Sequence, residues 1–383
     1  MPSQTPATAV AGSPVAVSST DYLISYKATP NAAAVRAALG GDGSHRTIAK
    51  VLADANRPMA KLAAARRPTP DGLSPSAKFG FCWNTEDQAD DRNFLWYPQG
   101  ITTTADASSS RKYDGVEAVA VTWYRRRTRT DDAAVQSRVS LAPAGGAGSG
   151  RGRYRHVLLV EPKGADNIQH VPCHSGGALW YGNLLYVAGT RSIRVFDWNH
   201  LHEVKTSSLP GEGFGRQSDG KFYADGTRYV LAQVATITNP GGSIRFSSLG
   251  LDRAAKPYRL VVSAYLEEPG VALWRFDLDA VSHLPAPGPA ADAYHLPFTH
   301  VQGATSRKDR FWFNSSGSGP KLRHWQRTGG AAPVAYRGAG GAESLSYWPS
   351  GDGPGGVPDY LYTITESPGT RQVFAVRQAD FNG

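Results

Sequence analysis

The sequence predicts an all-β fold built from many short strands, and three observations support this prediction. The chain of 383 residues contains 42 Gly and 26 Pro, an amount typical of frequent tight turns. Beyond Pro68, short apolar runs alternate with turn residues, and a helical spacing of apolar residues returns only at Trp198–Val204. Five segments of the chain also follow one common plan, which indicates a repeat architecture.

Composition and charge exclude several classes of protein. Hydrophobic residues make up 40% of the chain and aromatic residues 10%, which is too much for a wholly disordered protein. No stretch approaches the roughly 18 uninterrupted apolar residues of a membrane span, so we expect none. The net charge of +9 permits attraction to anionic polymers but identifies no partner. We expect a monomer that does not bind nucleic acid.

The N-terminal tail and the cysteines bear on the compartment. Residues 1–20 are rich in Ala, Ser, Thr and Pro, and we expect them to be disordered. They lack the regions of a signal peptide and read like the start of a mature exported chain, which predicts a secreted protein; a cytoplasmic protein with a polar tail is the alternative. Cys82 and Cys173 form no CxxC motif, and both a disulfide and two free thiols stay open.

Residues 21–77 connect this tail to the repeats. Asp21–Tyr26 alternates as one strand, and Asn31–Arg67 carries apolar residues at helical spacing. Gly40, Gly41 and Gly43 interrupt that spacing, so we expect two short helices.

Each of the five repeats combines a small-residue opening strand, a strongly apolar second strand and a third strand with a basic residue near its start. Further strands lie between the repeats, so each unit holds about four strands, the content of a propeller blade. Strands that are apolar almost throughout fit sheets buried on both faces. The sequence therefore predicts a five-bladed β-propeller over residues 78–383, with a sandwich as the alternative. Asp21–Tyr26 is expected to close the ring as the outer strand of the last blade.

Several motifs together resemble those of a known family. They are Phe81-Cys-Trp-Asn-Thr, Trp96-Tyr-Pro-Gln-Gly-Ile-Thr-Thr-Thr-Ala-Asp-Ala, His174-Ser-Gly-Gly-Ala-Leu-Trp-Tyr, Ile193-Arg-Val-Phe-Asp and Glu343-Ser-Leu-Ser-Tyr-Trp-Pro. Over residues 78–378 the chain resembles a family of secreted, Streptomyces-type actinobacterial proteins with a propeller-like pattern. The resemblance implies export and a propeller. It implies no activity and no catalytic residues.

Polar residues recur at equivalent places when the opening strands are aligned on their shared Gly-Ala. His174 and His300 coincide, and Gln302 and Glu343 stand two residues further along, on the same face because the strand period is two. Arg245 is the candidate in the third unit. These positions predict one asymmetric polar set at a mouth of the central channel: Tyr97, Gln99, His174, Arg245, His300, Gln302 and Glu343.

The residue types in this set point to proton transfer. Histidine titrates near neutral pH, so His174 and His300 are the predicted catalytic residues, with Glu343 orienting them or sharing their protons. Amide, phenol and guanidinium groups bind hydroxyls or carbonyls, and aromatic rings stack on sugars. The predicted substrate-binding residues are Tyr97, Gln99, Trp180, Arg245 and Gln302.

The predicted function is a secreted enzyme, a hydrolase, lyase or cyclase, that acts by acid–base catalysis on a small polar or carbohydrate-like substrate. A secreted propeller that binds a glycan or cell-wall fragment without turnover is the alternative. Two His and one Glu match a zinc ligand set, but no HExxH-type spacing accompanies them, so we expect no metal and no cofactor.

Other site classes find less support in the sequence. Only Glu343 among the carboxylates stands on an opening strand, which counts against a standard hydrolytic pair. The chain has no GxSxG motif, and its Gly-rich segment at 211–215 opens no helix. The acidic residues within 86–91 are interpreted as a solvated loop. The basic run Arg125–Arg129 is interpreted in the same way, with contact to an anionic polymer as the alternative.

Overall fold

The computed structural model describes residues 12–62, 76–88, 95–128, 130–131, 133–145, 152–206, 213–316, 319–349 and 358–381. The protein is mostly β, with 53% strand and 9% helix, which confirms the predicted class. No helix within the described ranges is long and apolar enough to cross a lipid bilayer.

The N-terminal segment consists of short elements that attach to strands formed later in the chain. They are β1 (Val15–Val17), β2 (Leu23–Ala28), α1 (Ala32–Ala38), α2 (Gly41–Ser44), α3 (Ile48–Ala53), β3 (Arg57–Pro58), β4 (Ala60–Lys61), β5 (Ala77–Cys82) and α4 (Thr85–Gln88). Thr47 caps α3, because its hydroxyl accepts a hydrogen bond from the Lys50 N–H at 3.2 Å. Ile48 and Val51 attach α3 to the first two sheets, where both are fully buried.

Five four-stranded antiparallel sheets occupy the rest of the described chain. The first contains β6 (Trp96–Thr103), β7 (Ala118–Arg126), β8 (Ala134–Pro143) and β9 (Arg153–Lys163), with α5 (Thr104–Ala107) after β6 and β10 (Asn167–His170) paired to β9. The second contains β11 (Ala178–Tyr181), β12 (Leu184–Ala188), β13 (Ser192–Glu203) and, after the hairpin of β14 (Phe214–Arg216) and β15 (Phe222–Ala224), β16 (Tyr229–Thr238).

The remaining three sheets follow the same order. The third contains β17 (Ser248–Asp252), β18 (Arg259–Ser263), β19 (Gly270–Asp277) and, after β20 (Gly288–Pro289), β21 (Asp292–Leu296). The fourth contains β22 (Val301–Arg307), β23 (Arg310–Ser315), β24 (Lys321–Gln326) and β25 (Val334–Arg337). The fifth contains β26 (Ala342–Trp348), β27 (Tyr360–Thr365), β28 (Gln372–Arg377) and β5, and a 3₁₀ helix spans Gln378–Phe381.

The first strands of the five sheets form a closed ring. Each of β6, β11, β17, β22 and β26 contacts the next, and β26 contacts β6. Their backbones approach so closely that a Cβ atom added at Gly177 would lie 2.7 Å from the Cα of Ser248 on the next first strand. A Cβ at Gly303 would lie 2.6 Å from the Glu343 carbonyl oxygen. Glycine is therefore required at these meeting points, and the fold is a β-propeller whose blades are the five sheets.

The ring is closed by a different strand from the one the sequence predicts. β5, which immediately precedes the first sheet in the chain, pairs with β28 and completes the fifth sheet, with Phe81 opposite Val373. β2, which contains most of Asp21–Tyr26, instead pairs with β16 at the edge of the second sheet. The prediction for Asp21–Tyr26 was therefore wrong. The outer position of the last sheet, next to β28, is occupied by β5, because the following strand in the chain, β6, begins the first sheet.

The tail predicted to be disordered is partly ordered. β1 pairs with β21 and adds an edge strand to the third sheet, with Val15 opposite His295. The prediction for residues 12–20 was therefore wrong, and residues 1–11 lie outside the described residues. Valines at alternate positions supply the apolar side chains that a short edge strand needs.

Apolar side chains fill the spaces between neighbouring sheets. The largest cluster spans the second, third and fourth sheets, and a second cluster lies between the first and second sheets. The first and second sheets are also joined at their outer edges by a parallel pairing of β9 and β16, with Leu158 opposite Val230. Cys82 and Cys173 are both buried as free thiols.

Candidate functional site

A cavity of about 420 Å³ opens at the face of the ring where the first strands begin. Second strands run antiparallel to first strands, so their last residues return to the same face. The cavity is therefore lined from both directions, by residues at the starts of first strands and by residues at the ends of second strands.

Five of the residues predicted from the repeat line this cavity. The structure brings them together from all five sheets because the first strands share one register around the ring. They are Gln99 on β6, His174 before β11, Arg245 before β17, Gln302 on β22 and Glu343 on β26. Gln99 and Glu343 are almost fully buried, Gln302 and His174 are half-buried, and Arg245 is exposed at the rim.

The ends of second strands contribute residues that the sequence analysis missed. Tyr124 and Arg126 come from β7, Tyr265 follows β18, and Glu366 follows β27. The signal for Glu366 was present, because it ends the apolar run Tyr360-Leu-Tyr-Thr-Ile-Thr-Glu of the fifth repeat. An antiparallel second strand carries its last residue back to the rim where the first strand begins.

Two carboxyl groups, Glu343 and Glu366, form the electrostatic centre of the cavity. Glu343 is 3% exposed, and among the described residues nothing donates a hydrogen bond to its carboxyl group. Burial, and then the negative charge of Glu366, raise the pKa of the Glu343 carboxyl well above its usual range. Glu366 instead accepts a hydrogen bond from the Gln99 amide at 2.6 Å. The two carboxyl groups therefore lie in different surroundings, and only Glu366 accepts a hydrogen bond from Gln99.

Aromatic and cationic side chains form the wall beside these carboxyl groups. The imidazole of His174 stacks on the ring of Tyr124, with 4.3 Å between ring centroids. Arg126 donates a hydrogen bond from Nε to the Tyr124 hydroxyl at 3.3 Å, and its guanidinium lies 4.0 Å above the Tyr97 ring. Arg371, almost fully buried, lies 4.8 Å from the same ring and donates to the Glu366 carbonyl oxygen at 2.8 Å.

His300 does not line the cavity with His174, although the repeat places the two at equivalent positions. Its φ of 55° turns the residue out of the strand conformation just before β22 begins. Both ring nitrogens are engaged, Nε2 with Glu267 at 2.6 Å and Nδ1 with Thr299 at 2.7 Å. The imidazole lies behind Tyr265, with 4.9 Å between ring centroids. The structure therefore places His300 as a support for Tyr265.

Two predicted substrate-binding residues also lie elsewhere. Trp180 is fully buried, with its ring 4.7 Å from that of Trp198, and its indole N–H donates to the Gly182 carbonyl at 3.0 Å. It lies further along β11 than the cavity, in the core between the first two sheets. Tyr97 is 7% exposed and lies beneath Arg126, so it supports the wall without lining the cavity.

A second polar network, centred on Asp87, corrects the interpretation of the acidic residues within 86–91 as a solvated loop. Asp87 is 4% exposed and pairs with Arg138 at 2.7 Å, with His156 at 3.1 Å, and with the Tyr154 hydroxyl. Burial alone would raise the pKa of Asp87, but His156, Arg138 and Arg57 outweigh burial and hold it well below its usual range. Asp90 and Asp91 lie outside the described residues.

This network contains a Ser–His–Asp geometry that is structural. The Ser140 hydroxyl lies 2.8 Å from His156 Nδ1, and His156 Nε2 lies 3.1 Å from Asp87. Burial, and then the charge of Arg138, lower the pKa of His156 to about 4, so the imidazole is neutral at pH 7. Ser140 is fully buried, so a substrate cannot reach its hydroxyl group and this hydroxyl cannot act as a nucleophile. Over the described ranges, no group of three or more His, Cys, Asp or Glu residues is arranged to hold a metal ion.

Comparison with known proteins assigns neither a family nor a function to the chain. No family model matches the chain, and no curated protein matches it. The chain is similar to the β-propeller domain of Cps50 (Swd1) from Myceliophteria thermophila, at 9% identity over 73% of this chain and 95% of that one, with a TM-score of 0.33. It is also similar to the WD40 repeats of RRP9, at 12% identity over 80% of this chain and 99% of that one, with a TM-score of 0.33. The count of five blades comes from the strand pairing described above.

Proposed function

We propose that the protein is an enzyme that acts by acid–base catalysis on a small polar or carbohydrate-like substrate in the cavity between Glu343 and Glu366. One observation carries the proposal: a buried carboxyl with a raised pKa, Glu343, shares a cavity with a second carboxyl, Glu366, which accepts a hydrogen bond from Gln99. Pairs of carboxyl groups whose surroundings separate their pKa values divide the roles of acid and base between them. The cavity of about 420 Å³ also lies in the size range of small-molecule sites.

Hydrolysis of a glycoside-like C–O bond is the reaction that this pair supports best. The protonated Glu343 donates its proton to the oxygen of the leaving group as the C–O bond breaks. Glu366 accepts a proton from the water molecule whose oxygen forms the new bond to carbon. Proton exchange with solvent water then protonates Glu343 again and removes the proton from Glu366. One water molecule is consumed, and two hydroxyl products form.

The remaining lining residues supply binding. Gln302 and the Tyr265 hydroxyl present hydrogen-bonding groups for sugar hydroxyls, and the stacked pair of His174 and Tyr124 presents flat rings. Arg245 at the rim adds a positive charge beside Tyr265. Glu366 therefore accepts the proton in place of the histidines that the sequence predicts as catalytic, and His174 contacts the substrate.

We also propose that the protein acts outside the cell. The resemblance to secreted actinobacterial proteins over residues 78–378 supports this location. A carbohydrate-like substrate is consistent with such a location.

The test of this function is the replacement of Glu343→Gln, assayed on a panel of 4-nitrophenyl glycosides. The wild type is expected to release nitrophenol from at least one member of the panel. Removing the acid is expected to lower kcat by roughly 100- to 10,000-fold, because general acid catalysis contributes about that much. Glu366→Gln is expected to lower kcat by a similar factor. Glu268→Gln, the same change at an exposed position, is the control.

Two outcomes would contradict the proposal that the protein is an enzyme. Turnover retained by Glu343→Gln would remove the carboxyl from the mechanism. If the wild type binds sugars but hydrolyses no glycoside, and binding is lost in Gln302→Ala, the non-catalytic carbohydrate-binding alternative is supported.

A further inference from the structure

A second cavity, of about 450 Å³, lies at the outer part of the first blade, away from the carboxyl pair. One side is formed by the face of the first sheet that carries Trp96, Arg125 and Arg138. The short strand β3 and the turn at 225–228, which leads into β16, form the rest of the rim. The cavity therefore lies beside the parallel pairing that joins the first two blades.

Guanidinium groups dominate the lining of this cavity. Among the residues that the structure describes, five arginines and one carboxylate line it; the arginines are Arg57, Arg125, Arg138, Arg155 and Arg228, and the carboxylate is Asp225. The carboxylate partners of the arginines, among them Asp54 and Asp87, are not part of the lining. The carboxylates that pair with these guanidinium groups therefore lie outside the described lining, and the lining itself is cationic.

Among the described residues, Arg125 is the arginine of this lining that has no carboxylate partner. It is half-buried at the end of β7, and within the described residues its side chain has no hydrogen bond and no ion pair. A guanidinium presents five N–H donors in a planar fork, so a half-buried one without a partner leaves a strong anion-binding group unused.

Arg138 also lines the cavity, and its side chain is held rigidly. Its guanidinium lies 4.4 Å from the Trp96 ring and 4.7 Å from the Trp123 ring. One nitrogen donates to Asp87 at 2.7 Å, but Nε is buried and has no hydrogen-bond partner among the described residues. Arg138 is 7% exposed, so its orientation is fixed before any ligand arrives.

Asp225, the one carboxylate among the described lining residues, already has two polar neighbours. Asp225 lies 2.8 Å from the Gln136 amide nitrogen and 2.8 Å from His170 Nε2. The carboxylate of Asp225 therefore interacts with neighbours at the rim and not with Arg125. The polar groups that remain for a ligand are mainly cationic donors.

We propose that this cavity binds a tetrahedral oxyanion, the phosphate or sulfate group of a small molecule, through Arg125 and Arg138. Guanidinium forks match the geometry of phosphate and sulfate oxygens, and they lose little on desolvation compared with ammonium groups. The site shares no residue with the cavity of the carboxyl pair, so the inference does not depend on the proposed function.

The experiment measures binding of oxyanions by calorimetry at constant ionic strength, with chloride as the balancing anion. Inorganic phosphate, inorganic sulfate and glycerol 3-phosphate are the three probes. Binding of at least one probe is expected, and Arg125→Gln is expected to weaken it at least tenfold, because a charge-assisted hydrogen bond is lost. Arg127→Ala is the matched control, since Arg127 lies in the same basic run but is exposed and outside the cavity.

Every outcome bears on the proposal. Preference for glycerol 3-phosphate over inorganic phosphate supports an ester as the ligand, and the reverse order supports the free ion; a preference for sulfate supports a sulfated ligand. Heat changes equal to those of chloride for all three probes would overturn the proposal. So would affinity that falls equally in Arg125→Gln and Arg127→Ala, because that would show general attraction to a basic surface.

Discussion

Replacing Asp87→Asn is expected to lower the free energy of unfolding by about 3–5 kcal/mol, the usual cost of removing one partner from a buried ion pair. The carboxylate is the shared counter-charge of the buried Arg138 and of Arg57. It also holds His156 and the Tyr154 hydroxyl. An amide keeps the shape but leaves the buried guanidinium of Arg138 without compensation. Urea denaturation of the variant and the wild type measures the difference.

The control is Asp131→Asn, which removes an exposed carboxylate paired with Arg127 at 3.1 Å and should cost about 1 kcal/mol or less. The pH dependence gives a second readout. His156 has a pKa of about 4 in the fold and a pKa of about 6.5 when unfolded, so the unfolded chain binds more protons between these values. Stability should therefore fall as the pH falls from about 6.5 to about 4. Equal losses in Asp87→Asn and Asp131→Asn would contradict the account of the network.

Replacing Gly177→Ala is expected to cost about 3 kcal/mol, because the added methyl group meets backbone and not a movable side chain. A Cβ at this position would lie 2.7 Å from the Cα and carbonyl carbon of Ser248 on the next blade. Overpacking of this kind costs roughly 1–3 kcal/mol when side chains can move, and backbone moves less readily. Thermal and urea unfolding measure the loss.

Gly340→Ala is the matched control for this variant. Its added methyl group would meet nothing within 4 Å, and its φ is not in the left-handed region, so we expect little change or a small gain in stability. If Gly177→Ala were as stable as Gly340→Ala, the first strands of the second and third blades would not be in contact, and the ring would not be closed as described.

The repeat in the sequence was enough to predict that four residues of the candidate site lie in one cavity. Gln99, His174, Gln302 and Glu343 were predicted from one register, and they meet because five equivalent strands surround one axis. The repeat does not predict the backbone conformation of single residues. The positive φ of His300 turns its side chain aside, and no spacing rule shows it.

Long-range pairing explains the other differences. Glu366 returns to the rim only because its strand is antiparallel to the first strand of the same blade. Asp87 looked like part of a solvated acidic run, yet it is buried against Arg138 and Tyr154, which lie more than fifty residues further along the chain. Which strand closes the ring was equally undecidable from alternation alone, since both β2 and β5 carry alternating apolar residues.

The most direct measurement is infrared difference spectroscopy of the wild type against Glu343→Gln at pH 7. A protonated carboxyl at Glu343 predicts a carboxylic acid C=O band that is present in the wild type and missing in the variant. Asp106, a second buried carboxyl whose pKa burial raises, contributes equally to both proteins and cancels. A difference spectrum that shows only the loss of an ionised carboxylate would contradict the assignment of Glu343 as the acid, and with it the proposed mechanism.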